Sequence, residues 1–301
     1  MKLKAWLNAA RLRTLPLSIS GIVVGYALAS MYDCENVVVF ILALLTTVSF
    51  QITSNFANDY GDGIKGTDNE DRIGPKRALQ SGLLTAKELK NGIKVSIFIA
   101  LLLVGLLLYM AFGDENIIYI FVFGVLGLLS VWAAVRYTVG KSAYGYKGLG
   151  DIFVFVFFGL VAVLGTLFLF SKNIPTTSIL PATTIGLLSV SVLNLNNLRD
   201  FESDKKAKKN TLIVKMGFKM GKKYHFLLII ISFFCNLLFT VFHFESFVNL
   251  CWIVSFIPII PHFIRIYKNR NPIEIDPELK IIALSTFFFA LLFYFSFNNF
   301  L

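Results

Sequence analysis

Nine stretches of this chain each run for roughly 20 residues with almost no charge, the length a helix needs to cross the hydrocarbon core of a bilayer. They lie at 14–32, 37–57, 92–113, 116–135, 151–171, 177–198, 224–243, 246–264 and 281–299 of the 301 residues. Nothing else in the sequence limits the fold so strongly. Hydrophobic residues make up 56% and charged residues 15%, and the 31 Phe alone outnumber the 28 Lys and Arg. A water-soluble body of this size would have to leave much of that apolar surface wet, so the solvent is lipid. The expectation is an all-α, polytopic membrane protein with nine transmembrane helices.

The net charge of +10 suggests nucleic acid only until the basic residues are placed. No basic–aromatic nucleic-acid motif is present, and the charges follow the membrane. Of the 28 Lys and Arg, 27 fall in the amino-terminal segment, in the connections after spans two, four, six and eight, or at the helix ends beside them; only Lys172 falls on the other side. Basic residues collect on the cytoplasmic side of a membrane. The amino terminus is therefore expected in the cytoplasm of an inner-membrane protein, the carboxyl terminus on the far face, and the function at the cytoplasmic face, because the far-side loops are very short. The opening Met1–Arg13, with Leu3, Trp6 and Leu7 among basic residues, reads as a short helix on the inner surface rather than a signal peptide. Cys34, Cys235 and Cys251 have no metal-site spacing and read as small apolar fillers.

Two of the cytoplasmic connections carry acid where topology asks only for base. One reads Asn58-Asp59-Tyr60-Gly61-Asp62 and continues through Lys65, Asp68, Arg72, Lys76 and Arg77. The other reads Asn196-Asn197-Leu198-Arg199-Asp200-Phe201-Glu202-Ser203-Asp204, followed by a lysine run to Lys209 and then Thr211. In each, an Asn precedes an Asp by about one turn with a further Asp close by, and the two segments stand four spans apart, as in a degenerate internal repeat. Asp200 and Asp204 are spaced i, i+4, as are Asn58 and Asp62, so a helix puts each pair on one face. Like charges there are unfavourable without a cation between them. Oxygen donors with no His or Cys beside them suit Mg²⁺, which keeps waters and bridges carboxylates to phosphates. The neighbouring Arg and Lys suit the same polyanion.

At these residues the chain resembles the UbiA superfamily of intramembrane prenyltransferases. The resemblance covers most of the sequence: Arg11-Leu12-Arg13-Thr14-Leu15-Pro16 is similar to its first-helix signature, and the two acidic segments to its aspartate-rich motifs. Three stretches look most like the branch that prenylates 1,4-dihydroxy-2-naphthoate: Asn58–Asp62 with Lys65–Asp68, Tyr146–Asp151 with its Phe-rich continuation, and Asn196–Asp204. Gly66 stands where 4-hydroxybenzoate enzymes would show an acid, here displaced to Asp68. The resemblance implies a single prenyltransferase domain over 1–301, a bundle of two four-helix halves plus one.

It further implies Mg²⁺ held by the catalytic Asn58, Asp62, Asp200 and Asp204, with Asp59 and Asp68 in or near the ligand set. Arg72, Arg77, Arg199 and the Tyr137-x-x-x-Lys141 pair would bind diphosphate, and Asp151 and Arg136 would orient or deprotonate the acceptor. Phe153, Phe155, Phe157 and Phe158 offer π faces to an allylic cation, although packing or lipid contact accounts for any one of them. His225, His243 and His262 receive no role. The implied partners are a polyprenyl diphosphate, an aromatic acid and the bilayer, with no nucleic acid and no obligatory protein partner. The implied reaction transfers the prenyl group to a ring carbon with loss of CO₂. Other acceptors (4-hydroxybenzoate, homogentisate, haem) remain open at this point, as does a cation-coupled transporter, whose ionisable groups would lie nearer the membrane midplane.

Overall fold

Polar backbone has no partner in hydrocarbon except itself, and the chain answers that constraint with helices throughout. The computed structural model describes residues 2–67, 76–114 and 116–298. Among them no strand is present, and nine helical stretches are long and apolar enough to cross a membrane. A short α1 (Lys2–Ala10) leads into α2 (Leu15–Ser30), followed by α3 (Val37–Ile64), α4 (Ala86–Phe112) and α5 (Ile117–Arg136). The second half comprises α6 (Gly150–Ser171), α7 (Ile179–Arg199), the short α8 (Phe201–Lys206) and α9 (Leu212–Met216), then α10 (Phe218–Phe242) and α11 (Phe247–Lys268). A ninth span, α12 (Asp276–Phe297), packs against α2, α7 and α11.

The helix ends differ from the hydropathy reading in an informative way. α3 does not stop at residue 57 but runs two turns further, so the first acidic motif is itself helical. α4 starts at Ala86 rather than 92, because Thr85 and Glu88 form a reciprocal capping box that outweighs the polarity of the first turn. α10 and α12 likewise begin ahead of the apolar runs. Nor does α1 merely lie on a surface: Ala5, Ala9 and Ala10 are buried, and Trp6 packs edge-on to Phe56 of α3 at 5.1 Å. Leu3 and Leu7 point outward as expected.

α7 is the most enclosed span, and α6 crosses it closely. At that crossing a Cβ on Gly159 would meet the Cα of Gly186 at 2.6 Å, so both positions exclude larger side chains. Gly159 lies in a run of wide π-helical turns, Phe155–Gly165. The Phe residues of this region mostly pack: Phe153 stacks on Tyr144 at 3.8 Å and lies 6.2 Å from Phe157, while Phe155 covers Gly186. At the opposite end of α6, Lys172 donates to the carbonyls of Ala111 (2.6 Å) and Leu169 and lies 4.5 Å above the Phe112 ring. The one basic residue on that side thus closes two helix C-termini, where positive charge is favoured.

Candidate functional site

The first motif is placed by close packing of α3 against the turn after α5. A Cβ on Gly61 would sit 2.5 Å from Thr138 Oγ1 and 2.8 Å from the Thr138 carbonyl carbon, so only glycine allows this approach. Thr138 is fully buried; its hydroxyl lies 3.0 Å from the Ala57 carbonyl and 3.2 Å from Asn58 Oδ1, which orients the Asn58 amide. One turn further on, Asp62 is 8% exposed and accepts a hydrogen bond from Tyr146 Oη at 2.7 Å. The same phenol lies 2.6 Å from Thr67 Oγ1, and the Lys65 ammonium sits 3.9 Å above its ring.

The second motif begins at a helix interruption. α7 ends at Arg199 and Asp200 leaves helical geometry (φ −90°, ψ 11°), yet its amide still bonds the Asn196 carbonyl at 3.0 Å and the Asp204 amide bonds Asp200's at 2.8 Å. The i, i+4 pitch therefore survives the break, and Asp200 and Asp204 stay on one side, as the spacing predicts. Asp204 is buried against the ammonium of Lys209 at 3.4 Å, which also lies 5.6 Å from the Tyr146 ring. Backbone joins the halves too: Asn210 N–H donates to the Tyr146 carbonyl at 3.1 Å.

Electrostatics brings the two motifs into one site. Burial would lower the Lys209 pKa, but Asp204 and then Asp62 outweigh it and hold the ammonium above the ordinary lysine value. Burial pushes Asp204 up to about 6; Lys209 opposes this, while Asp200 and Asp62 add to it. The two shifts are one picture: the Lys209 cation is stabilised by Asp204 and Asp62, and the charged form of Asp204 is disfavoured by the neighbouring carboxylates. Burial and the charge of Asp62 raise the Tyr146 phenol, and burial raises that of Tyr137 to about 12.

Several of the expected residues have close partners within the protein. Asp59, a further 100° around α3 from Asn58, is 1% exposed; it pairs with Arg11, lies 3.5 Å from Arg77 Nε and accepts from the Ala78 amide at 3.4 Å. It fastens the amino-terminal turn and the start of the following connection to α3, with Arg11 and Arg77 both beside the Asp59 carboxylate. Arg199 is also committed: it is 4% exposed and grips both oxygens of Asp200, at 2.8 and 2.7 Å. Asp151, 7% exposed at the start of α6, accepts from Tyr224 Oη at 3.3 Å, and Arg136, the last residue of α5, sits over Gly140. Tyr137 is half-buried beside Gly150, and Lys141 is exposed on the following turn. Asp68 and Arg72 lie outside the described residues. His225 and His262, unassigned from sequence, meet in the bundle with their Nε2 atoms 2.8 Å apart.

The donors fit a hard divalent cation. Asp204 Oδ2 is buried with no hydrogen-bond partner, and the charges of Asp200 and Asp62 both act on this carboxyl, an all-oxygen set of acids. Among the described residues no three carboxylate, imidazole or thiol groups converge into a preformed metal cage. Tyr146 and Lys209 are the functional candidates that sequence reasoning missed. One lysine of a run carries no local sign that it is buried, and Tyr146 stands out in the sequence only as part of the resembling Tyr146–Asp151 stretch.

Residues 18–292 match the UbiA prenyltransferase family. The 1,4-dihydroxy-2-naphthoate octaprenyltransferase of Haemophilus influenzae is 43% identical over 97% of this chain and 95% of its own length. The protein of the same name from Escherichia coli is 40% identical over 92% and 89%. Among solved structures, a UbiA homolog from Archaeoglobus fulgidus bound to DMAPP and Mg²⁺ superposes with a TM-score of 0.65 at 14% identity, covering 96% of this chain and 98% of that one.

Proposed function

The chain belongs to the UbiA prenyltransferase family, and from that membership we propose that it transfers a polyprenyl group from an allylic diphosphate to 1,4-dihydroxy-2-naphthoate. The observation that carries the acceptor is the near-full-length similarity to proteins named for that reaction. Two acidic motifs meeting around Tyr146 and Lys209 supply a chemical basis for diphosphate departure.

In this reading Asn58, Asp62, Asp200 and Asp204 hold Mg²⁺ at the cytoplasmic mouth of the bundle in the inner membrane, and residues 1–301 form one catalytic unit. The ion supplies Lewis-acid charge neutralisation on the leaving diphosphate. Lys209 and Lys65 add positive charge that the fold already holds in place, which costs no reorganisation as the C–O bond breaks. Tyr146 donates to Asp62 and keeps that carboxylate aimed. Tyr137, kept protonated by burial, can donate to a diphosphate oxygen. The allylic carbon gives up its C–O electron pair to diphosphate, and the naphthoate ring carbon that bears the carboxylate forms the new C–C bond. The bond to the carboxylate then breaks, its electron pair restores the aromatic ring, and CO₂ leaves. The lipid-buried walls keep water from the allylic cation. Asp151, with Tyr224, is the candidate for orienting the acceptor.

The test is product formation by the purified protein supplied with octaprenyl diphosphate, Mg²⁺ and, in separate reactions, dihydroxynaphthoate, 4-hydroxybenzoate or homogentisate. The expected result is a decarboxylated prenyl-naphthalenediol from the first reaction alone. Faster turnover of another acid would replace the acceptor, and no loss of activity in excess EDTA would remove the metal.

A further inference from the structure

Arg199 links the second acidic motif to the helix that belongs to neither four-helix half. Its Nε and Nη2 donate to the two oxygens of Asp200 at 2.8 and 2.7 Å, and Nη2 also reaches Asn196 Oδ1 at 2.8 Å. Its remaining nitrogen, Nη1, donates to Asp276 Oδ1 at 2.6 Å. Asp276 is the first residue of α12.

We infer that the ninth span tunes the cation affinity of the site, with Asp276 as a positioning residue that acts on Asp200 through Arg199. This tuning presupposes the proposed role of Asp200 as a metal ligand. A guanidinium shared by two carboxylates leaves the trio with net negative charge, so Asp200 stays aimed while keeping its attraction for a cation. With Asp276 neutral, the whole guanidinium charge falls on Asp200 and competes with the ion. Arg199 also loses the contact that fixes its plane.

The anchor behind Asp276 is stiff. Two residues along, Glu278 is 5% exposed, accepts from Arg265 of α11 at 2.5 and 3.1 Å and lies 2.5 Å from His262 Nδ1. His262 is fully buried and meets His225 of α10. The first turn of α12 is thereby pinned to two neighbouring spans, which gives Asp276 a fixed position although its side chain is 47% exposed.

Three variants in detergent-solubilised full-length protein test this: Asp276→Asn, Asp276→Glu and Asp200→Asn. The readouts are calorimetric titration of Mg²⁺ in the presence of inorganic pyrophosphate, the KM for Mg²⁺ and kcat in the transfer reaction, and thermal unfolding. Partners that orient a ligand typically move metal affinity by about 10- to 100-fold, so Asp276→Asn is expected to weaken Mg²⁺ binding about tenfold, with Asp276→Glu recovering to within about threefold. KM for Mg²⁺ should rise more than kcat falls. Wild-type Mg²⁺ affinity in Asp276→Asn overturns the inference, as does an equal loss in both Asp276 variants or a drop in unfolding temperature without an affinity change. Should Asp200→Asn itself bind Mg²⁺ normally, the metal reading of the site fails as well; Asp200→Asn impaired beside a normal Asp276→Asn sinks the inference alone.

Discussion

Lys209 is the residue on which the ligand-free site depends. It stands among Asp62, Asp204 and the phenol of Tyr146, with its side chain only 10% exposed. Removing one member of a buried ion pair strands the other, at a cost of about 3–5 kcal/mol. Lys209→Met should therefore lower the unfolding temperature markedly in EDTA, and Mg²⁺ with pyrophosphate should restore most of the loss by replacing the missing cation. Thermal melts with and without the ion check this; a loss that Mg²⁺ does not touch would make Lys209 a packing residue only. Asp204 predicts a second effect. Its carboxyl is raised to about 6, so it is protonated below that pH and cannot ligate. Mg²⁺ affinity should be flat above about pH 7 and fall about tenfold per unit below pH 6, one proton being displaced per ion bound. Titrations at pH 5, 6, 7 and 8 give the slope, and a pH-independent affinity would exclude Asp204 from the ligand set.

At the scale of elements, the sequence shows where lipid ends but not where helices end. The apolar run stops at residue 57, yet the backbone bonds of α3 continue to Ile64, since polar residues leave the bilayer without leaving the helix. That extension carries Asn58 and Asp62, whose shared face was legible from their spacing. What they face was not, because it depends on Gly61 lying against Thr138, 77 positions away in the chain. The same holds for Arg77 and Arg199: their charge suggests a polyanion, and only packing shows that Asp59 and Asp200 lie beside them. Gly61→Ala probes this crossing. A methyl 2.5 Å from Thr138 Oγ1 forces α3 and the turn apart, at a cost of about 1–3 kcal/mol for overpacking. Because Asn58 and Asp62 flank the contact, transfer activity should fall well beyond the loss of folded protein. Activity per folded molecule equal to wild type would show that this approach does not set the site's geometry.

For the molecule as a whole, the charge distribution decides where its substrate head group must arrive. Nearly all Lys and Arg lie at one end of the bundle, with both acidic motifs, while Lys172 at the other end is used by helix carbonyls. A diphosphate cannot cross hydrocarbon unaided, since an isolated buried ion costs tens of kcal/mol in a low-dielectric medium. The proposed site would therefore receive polyprenyl diphosphate from the face where the charges stand, and on the positive-inside rule we propose that this face is the cytoplasmic one. Single cysteines on a background with Cys34, Cys235 and Cys251 replaced can report the orientation. Asn173→Cys, exposed beside Lys172, should react with a membrane-impermeant maleimide in spheroplasts. Ser142→Cys, exposed in the turn that follows α5, should react only after the membrane is opened. The reverse pattern would put the acidic motifs outside, where a cytoplasmic diphosphate could not reach them, and the proposed reaction would then need a substrate supplied from the other side.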